Sequence, residues 1–166
     1  KAWKLVEYAT KIVYTKLKGL YPGIPEPKLQ QTTGADTAGA LIPGDWIMQV
    51  EVPTYDFGEK TAKVVSNLPE DDVADTLFTI YHEYRHAEQY WLIALNYAVR
   101  SKADNMDNSP DLPETVLEAA KKVDKKDNPF SAANLKNNRS QNLMARTIYE
   151  FDAGNMAQYQ EVIRYT

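Results

Sequence analysis

The sequence contains no cysteine and only two histidines in 166 residues. Without cysteine there is no disulfide framework and no thiolate ligand, so a tight metal site would use His, Asp or Glu. The net charge is −4, the pI is near 5.2, and no block of basic residues stands out. This charge argues against nucleic acid and anionic membranes as partners. No apolar run approaches the roughly 18–20 residues of a membrane-spanning helix, so we expect no membrane span.

What the sequence does contain is typical of a globular protein. The hydrophobic content is 43%, with three Trp and eleven Tyr. A chain of this length suits one domain with a sizeable core. It begins with Lys1 rather than Met and shows no signal-peptide pattern. We therefore expect residues 1–166 to be a single domain excised from a longer protein.

The first third of the chain predicts one helix, a loop region and one strand. Apolar residues recur at helical spacing over residues 3–20. Residues 21–44 are rich in proline and glycine, which predicts turns and loop with one short extended piece. The sequence WIMQVEV, residues 46–52, alternates between two faces and predicts a half-buried strand. Because Pro53 follows it, we expect this strand near the edge of its sheet.

The remainder predicts helices. The sequence NLPEDD suits a helix start, and an apolar stripe then continues from residue 73 to about residue 101. A polar, proline-containing loop over residues 101–113 precedes a short helix over residues 113–123. A last helix is predicted over residues 139–163. The predicted fold is one α+β domain, mostly helical, with a small sheet.

Both histidines lie inside the long predicted helix, four residues apart, in the sequence HEYRH. Residues at this spacing share a helix face, so His82 and His86 can direct ring nitrogens to one Zn²⁺ about 2 Å from each. Glu83 lies on the shoulder of the same face, where its carboxylate can act as a general base. This is the HExxH pattern of zinc peptidases. We therefore predict His82 and His86 as metal ligands and Glu83 as the catalytic base.

A purely structural interpretation of these residues is two histidines on the polar face of an amphipathic helix, with Glu83 supporting that helix. A random placement of two histidines gives this spacing with the intervening Glu about once in a thousand sequences of this length, which favours the metal site. A catalytic zinc needs a third protein ligand. No histidine follows His86, so this ligand is a carboxylate. Candidates on the later helices are Glu150, Asp152, Glu114 and Glu118.

The sequence YEFDA around Glu150 resembles the E-x-x-A-D segment of gluzincin-type peptidases, in which the Glu is a metal ligand. The resemblance implies Glu150 as the third ligand, and a zincin-like fold in which the C-terminal helix supplies it. The family's Asp, which supports a ligand histidine, is replaced by Gly154. Asp152 or Asp75 are the candidates to take over that support.

The sequence HEYRHAEQ is similar to the H-E-x-R-H-A-E-Q core of metallopeptidase domains at the C-termini of bacterial secreted toxins and injected effectors. The resemblance covers about ten residues. It implies the same roles for His82, Glu83 and His86, a secreted or injected parent protein, and an immunity or inhibitor protein as a partner. Gln89 falls on the same face as His82, where it can reach the site or a loop over it.

Together these observations predict a zinc-dependent peptidase with one Zn²⁺ per chain and a protein or peptide substrate. An oxyanion donor is also required, and the local candidates are Tyr149, Arg146 and Tyr159. The strand over residues 46–52 is the candidate for pairing with an extended substrate, or a plain core strand. Two other functions stay open: a metal-holding or vestigial binding module without turnover, and an amide hydrolase acting on a non-protein substrate.

Overall fold

The computed structural model describes residues 2–32, 38–51, 70–104, 109–132 and 134. The elements in these ranges are helix α1 (Ala2–Leu20), strands β1 (Lys28–Thr32), β2 (Gly39–Ile42) and β3 (Ile47–Glu51), and helices α2 (Glu70–Asp104) and α3 (Glu114–Lys121). Most of the described chain is helical, and the predicted α+β class is confirmed.

Helix α1 is amphipathic and covers one side of the core, as the periodicity over residues 3–20 predicts. Val6 and Leu17 are buried, whereas Tyr8 on the opposite face is 66% exposed. The helix ends at Leu20, and in the turn after it Gly23 adopts a φ of 98°, a conformation that glycine adopts without steric cost. The prediction of this helix and its end is therefore confirmed.

The three strands form one sheet in the order β1-β3-β2, with β1 parallel and β2 antiparallel to β3. The prediction of a half-buried strand over residues 46–52 is confirmed, because Met48 and Val50 are buried while their neighbours are partly exposed. The predicted edge position is wrong, since β3 is the central strand. Pro53 does not exclude this position, because the β1–β3 ladder ends at Glu51, before the proline.

The prediction of turns and loop over residues 21–44 is only partly right, because this region contains two strands, β1 and β2. Its prolines flank the strands instead of interrupting them. Pro27 directly precedes β1, and Pro43 with Gly44 directly follows β2. Both prolines therefore lie outside the strands, where the lack of an N–H donor does not cost a hydrogen bond between strands.

Helix α2 is the long helix that the apolar stripe predicts, and its 35 residues span about 52 Å at 1.5 Å per residue. It continues to Asp104, so the start of the predicted 101–113 loop is helical instead. Its buried hydrophobic side chains are Ile80, Tyr84, Ala87, Trp91, Leu92, Ile93, Ala94, Leu95 and Ala98. The sheet, α1 and α3 pack around this helix, which therefore forms the centre of the core.

Helix α3 confirms the short helix predicted over residues 113–123, and it packs on α2 through Val116, Leu117 and Ala120. The segment after it is fastened by Asn128, whose side-chain amide donates to the carbonyl of Leu95 at 3.1 Å. The predicted last helix, residues 139–163, lies outside the described residues. In the part of the chain that is described, no helix is both long and apolar enough to cross a membrane.

Candidate metal centre

The rings of His82 and His86 meet on the surface of α2. Their centroids are 4.7 Å apart in an edge-to-face arrangement, and their Nε2 atoms are 3.1 Å apart. His82 is exposed and His86 is half-buried. The i, i+4 spacing on an intact helix therefore produces the convergence of ring nitrogens that the sequence predicts.

The separation of these nitrogens fits two ligands of one zinc ion. Two nitrogens each about 2.05 Å from a tetrahedral Zn²⁺ are about 3.3 Å apart. The observed 3.1 Å between Nε2 of His82 and Nε2 of His86 is close to that separation. In the absence of metal the same distance accommodates an N–H···N hydrogen bond between the rings. The distance between the two nitrogens is thus compatible with both a metal-free pair and two ligands of one ion.

His86 has a second contact on the far side of its ring. Its Nδ1 lies 2.9 Å from the side-chain oxygen of Gln89, one turn further along α2. That oxygen has no hydrogen, so Nδ1 is the donor of this bond. The Nε2 atom of a neutral His86 then carries a lone pair and faces His82. The expectation that Gln89 reaches the site is met through this contact with the ring of His86.

Glu83 is only 6% exposed, although it lies between two accessible histidines in sequence. Its carboxylate oxygen Oε2 accepts a hydrogen bond of 2.7 Å from the backbone N–H of Leu41 in β2. This bond joins α2 to the sheet. Among the described residues, the carboxylate has no other hydrogen-bond partner, so one of its oxygens remains free to accept a proton.

Strand β2 approaches α2 very closely beside Glu83, and Gly39 makes this approach possible. A Cβ atom on Gly39 would lie 2.6 Å from Cγ2 of Thr79, 3.1 Å from the carbonyl oxygen of Gln49 and 3.3 Å from Cγ of Glu83. Real Cβ atoms do not approach other atoms to 2.6 Å. The absence of a side chain at Gly39 therefore allows the short distance between β2 and Glu83.

A small open cavity of about 230 Å³ lies between the start of β2 and α2. The residues that line it are Ala38, Gly39, Phe78, Thr79, His82 and Glu83. Phe78 stacks on the ring of His82 at a centroid distance of 6.3 Å and is 69% exposed. The histidine and the glutamate thus face a concave surface with an apolar wall.

The other two charged residues of the motif form a separate contact. Arg85 forms an ion pair with Glu88, which is 5% exposed. Glu88 also interacts with the hydroxyl group of Tyr21, just after the end of α1. Burial, and then the nearby carboxylate of Glu88, raise the pKa of Tyr21 well above its usual range. These residues fasten α2 to α1 and take no part in the histidine pair.

No third ligand joins the histidines in the part of the chain that is described, where no group of three His, Asp or Glu side chains converges. This counts against Glu114 and Glu118 as ligands, and Glu118 instead pairs with Lys121 at 2.7 Å. Asp75, proposed as a support for a ligand histidine, is exposed two turns before His82.

The remaining predicted site residues all fall in the C-terminal part of the sequence. Glu150, Asp152, Gly154 and the oxyanion candidates Tyr149, Arg146 and Tyr159 lie outside the described residues. The third ligand therefore stays a prediction.

Sequence reasoning missed two features of the site, and it placed Gln89 near the site without identifying His86 as its partner. The Leu41 N–H has no signature in the sequence, because any residue except proline supplies one. The closeness of Gly39 to α2 depends on how the strand packs. The Gln89–His86 contact has a local signal, since residues three apart on a helix are neighbours.

Comparison with models of known protein families, with curated protein sequences and with solved structures finds no match.

Proposed function

We propose that this chain is a zinc-dependent peptidase whose metal is held by His82, His86 and Glu150. The observation that carries the proposal is the convergence of the two Nε2 atoms to 3.1 Å beside a buried glutamate. The nitrogen donors are of the type and spacing that Zn²⁺ prefers. One ion per chain completes the site.

When bound, zinc lowers the pKa of a water molecule and polarises the carbonyl of the scissile bond. Glu83 accepts the proton of the attacking water on its free oxygen and delivers it to the leaving amine. The Leu41 N–H holds the other oxygen, so the carboxylate keeps one orientation during both transfers. The buried position of Glu83 limits competition from bulk water.

An extended peptide substrate fits beside β2 better than beside β3. Residues 46–52 were the predicted pairing strand, but β3 has a neighbour on each side in the sheet. Within the described sheet, one edge of β2 carries no strand, and this strand passes directly over Glu83. Pairing along that edge, through backbone groups other than the Leu41 N–H that Glu83 occupies, would bring a peptide bond towards the histidines, with a side chain in the 230 Å³ cavity.

The role of the peptidase as a domain of a bacterial secreted toxin or injected effector belongs to the same proposal. Its support is the resemblance of HEYRHAEQ, residues 82–89, to the core sequence of metallopeptidase domains in such toxins and effectors. An immunity protein that blocks the site is the partner that such a role implies. Hydrolysis of a non-protein amide would use the same residues; it would leave a peptide mixture uncleaved, while the biological effect would still be lost in Glu83→Gln.

The proposal is tested by two measurements on the purified chain. Metal analysis after zinc reconstitution should give about one Zn²⁺ per chain in the wild type, and His82→Ala or His86→Ala should lose it. Incubation with a peptide mixture, analysed by mass spectrometry, should show cleavage that Glu83→Gln abolishes. Glu83→Gln keeps an oxygen for the Leu41 N–H, so zinc content and folding should remain.

Glu118→Gln is the matched control, because it neutralises a glutamate whose only described ion pair is on the surface, with Lys121. Zinc content and cleavage should stay at the wild-type level in this variant. Wild-type protein that holds no stoichiometric zinc after reconstitution would contradict the proposed site.

One observation favours a second candidate, a metal-holding module without turnover. Glu83 is buried and bonded to backbone, which also suits a purely structural connection between α2 and β2. This module would bind zinc as predicted but show no cleavage in the wild type. It would also keep its biological effect in Glu83→Gln, whereas a peptidase would lose it.

A further inference from the structure

The ring of His86 is contacted on both of its nitrogens, by different residues. Its Nε2 faces His82 at 3.1 Å, and its Nδ1 lies 2.9 Å from the side-chain oxygen of Gln89. Gln89 is half-buried and lies on the same helix, one turn further on. The contact therefore needs no other element of the fold and is present before any metal binds.

We propose that Gln89 is the positioning residue that makes Nε2 of His86 the metal-binding atom, an inference that rests on the proposed function. The Gln89 oxygen accepts the Nδ1 proton and so selects the neutral tautomer with a bare Nε2. In the other tautomer a proton on Nε2 would occupy the place of the metal. The same bond fixes the rotation of the ring, so His86 keeps its orientation towards His82.

The bond also adds to the strength of the metal site. A ligand histidine whose other N–H is held by an acceptor donates more strongly to a metal, and loss of such an acceptor typically costs about 10–100-fold in metal affinity. In the part of the chain that the structure describes, His82 has no comparable acceptor at its Nδ1. His86 is therefore the histidine of the pair whose ring is already oriented before a metal binds.

The test begins with the metal-free protein. Long-range ¹H–¹⁵N NMR of the histidine rings is recorded at a pH at which both rings are neutral. It should show His86 with a protonated Nδ1 and an unprotonated Nε2. Gln89→Met has a similar length but no oxygen, and it should give a mixture of both tautomers. Gln89→Glu keeps an acceptor at the same position and should retain the wild-type tautomer.

Zinc affinity is the second readout, measured by competition with a chromophoric chelator. Gln89→Met should bind Zn²⁺ about 10–100-fold more weakly than the wild type. Gln89→Glu should bind within a few-fold of the wild type or more tightly. Asn96→Leu is the matched control, because Asn96 is half-buried on the same helix two turns further on, and it should change neither readout.

If Gln89→Met does not fold, Gln89→Asn replaces it, since its amide is one methylene too short to reach Nδ1. An unchanged tautomer and unchanged zinc affinity in Gln89→Met or Gln89→Asn would overturn the proposal. An equal loss in Gln89→Glu would also overturn it, because the acceptor would then not be the cause. If the wild type holds no zinc, the proposed function fails, while the tautomer in the metal-free protein still decides the role of Gln89.

Discussion

Substitution of Gly39 by alanine tests the close packing of β2 on α2. The new Cβ would lie 2.6 Å from Cγ2 of Thr79 and 3.1 Å from the backbone oxygen of Gln49. Carbon atoms in ordinary contact are about 3.5–4.0 Å apart, so the methyl group and Thr79 overlap by about 1 Å. The strand cannot retreat towards Gln49, because that oxygen belongs to the paired strand β3.

Overpacking of this kind typically costs about 1–3 kcal/mol in the free energy of unfolding. For a domain of this size, each 1 kcal/mol shifts Tm by about 2–4 °C, so Gly39→Ala should lower Tm by about 2–12 °C. Urea unfolding of the metal-free protein, followed by circular dichroism, measures the same loss at 25 °C. Displacement of β2 should also move the Leu41 N–H away from Glu83 and so reduce the peptide cleavage that the proposed function requires.

A second substitution identifies the cause of that loss. Thr79→Ala removes the overlapping methyl group, so the double variant should be more stable than the sum of the two single changes by about 0.5–3 kcal/mol. Gly19→Ala is the matched control, because a Cβ at Gly19 meets nothing within 4 Å. Gly19 lies in a helix, so this control should be neutral or stabilising by up to about 1 kcal/mol.

The close approach of β2 to α2 would be refuted if Gly39→Ala had the same free energy of unfolding as the wild type. In that case Thr79→Ala would also have the same effect with and without Gly39→Ala. The placement of the Leu41 N–H on Glu83 would then be refuted as well, since it depends on the same approach.

Three further predictions address the third ligand, the core and the response to alkaline pH. Glu150→Ala should weaken zinc binding by at least about 10–100-fold, and Asp152→Ala by less, in the same chelator competition; equal effects would contradict the ligand assignment. Asn128→Ala leaves the buried N–H of residue 130 without its acceptor and should cost about 1–3 kcal/mol in urea unfolding. Burial, and then the nearby carboxylate of Glu26, raise the pKa of Tyr84, so the folded state keeps its proton above pH 10 while the unfolded state loses its own. Stability should therefore fall as pH rises above 10, with up to about 1.4 kcal/mol per pH unit contributed by Tyr84, and Tyr84→Phe should reduce the slope whereas Tyr8→Phe should not.

The sequence by itself determined the histidine pair, because its geometry is local. On any intact helix, residues four apart share a face, so the HEYRH sequence brings His82 and His86 together without help from the rest of the chain. The apolar stripe of α2 is equally local, and its period identifies a long helix before any packing is known. The approach of the two Nε2 atoms to 3.1 Å is consistent with this local geometry.

The surroundings of the pair were decided only by tertiary structure. The order β1-β3-β2 depends on which strands pair across the chain, and the period of a strand contains no information on its neighbours. For that reason residues 46–52 were predicted as a strand but given the wrong place in the sheet. The Leu41 N–H became the partner of Glu83 because β2 crosses α2 at Gly39, a contact between residues about forty positions apart. A backbone N–H has no sequence signature, so only the packing of strand on helix reveals which N–H binds the Glu83 carboxylate.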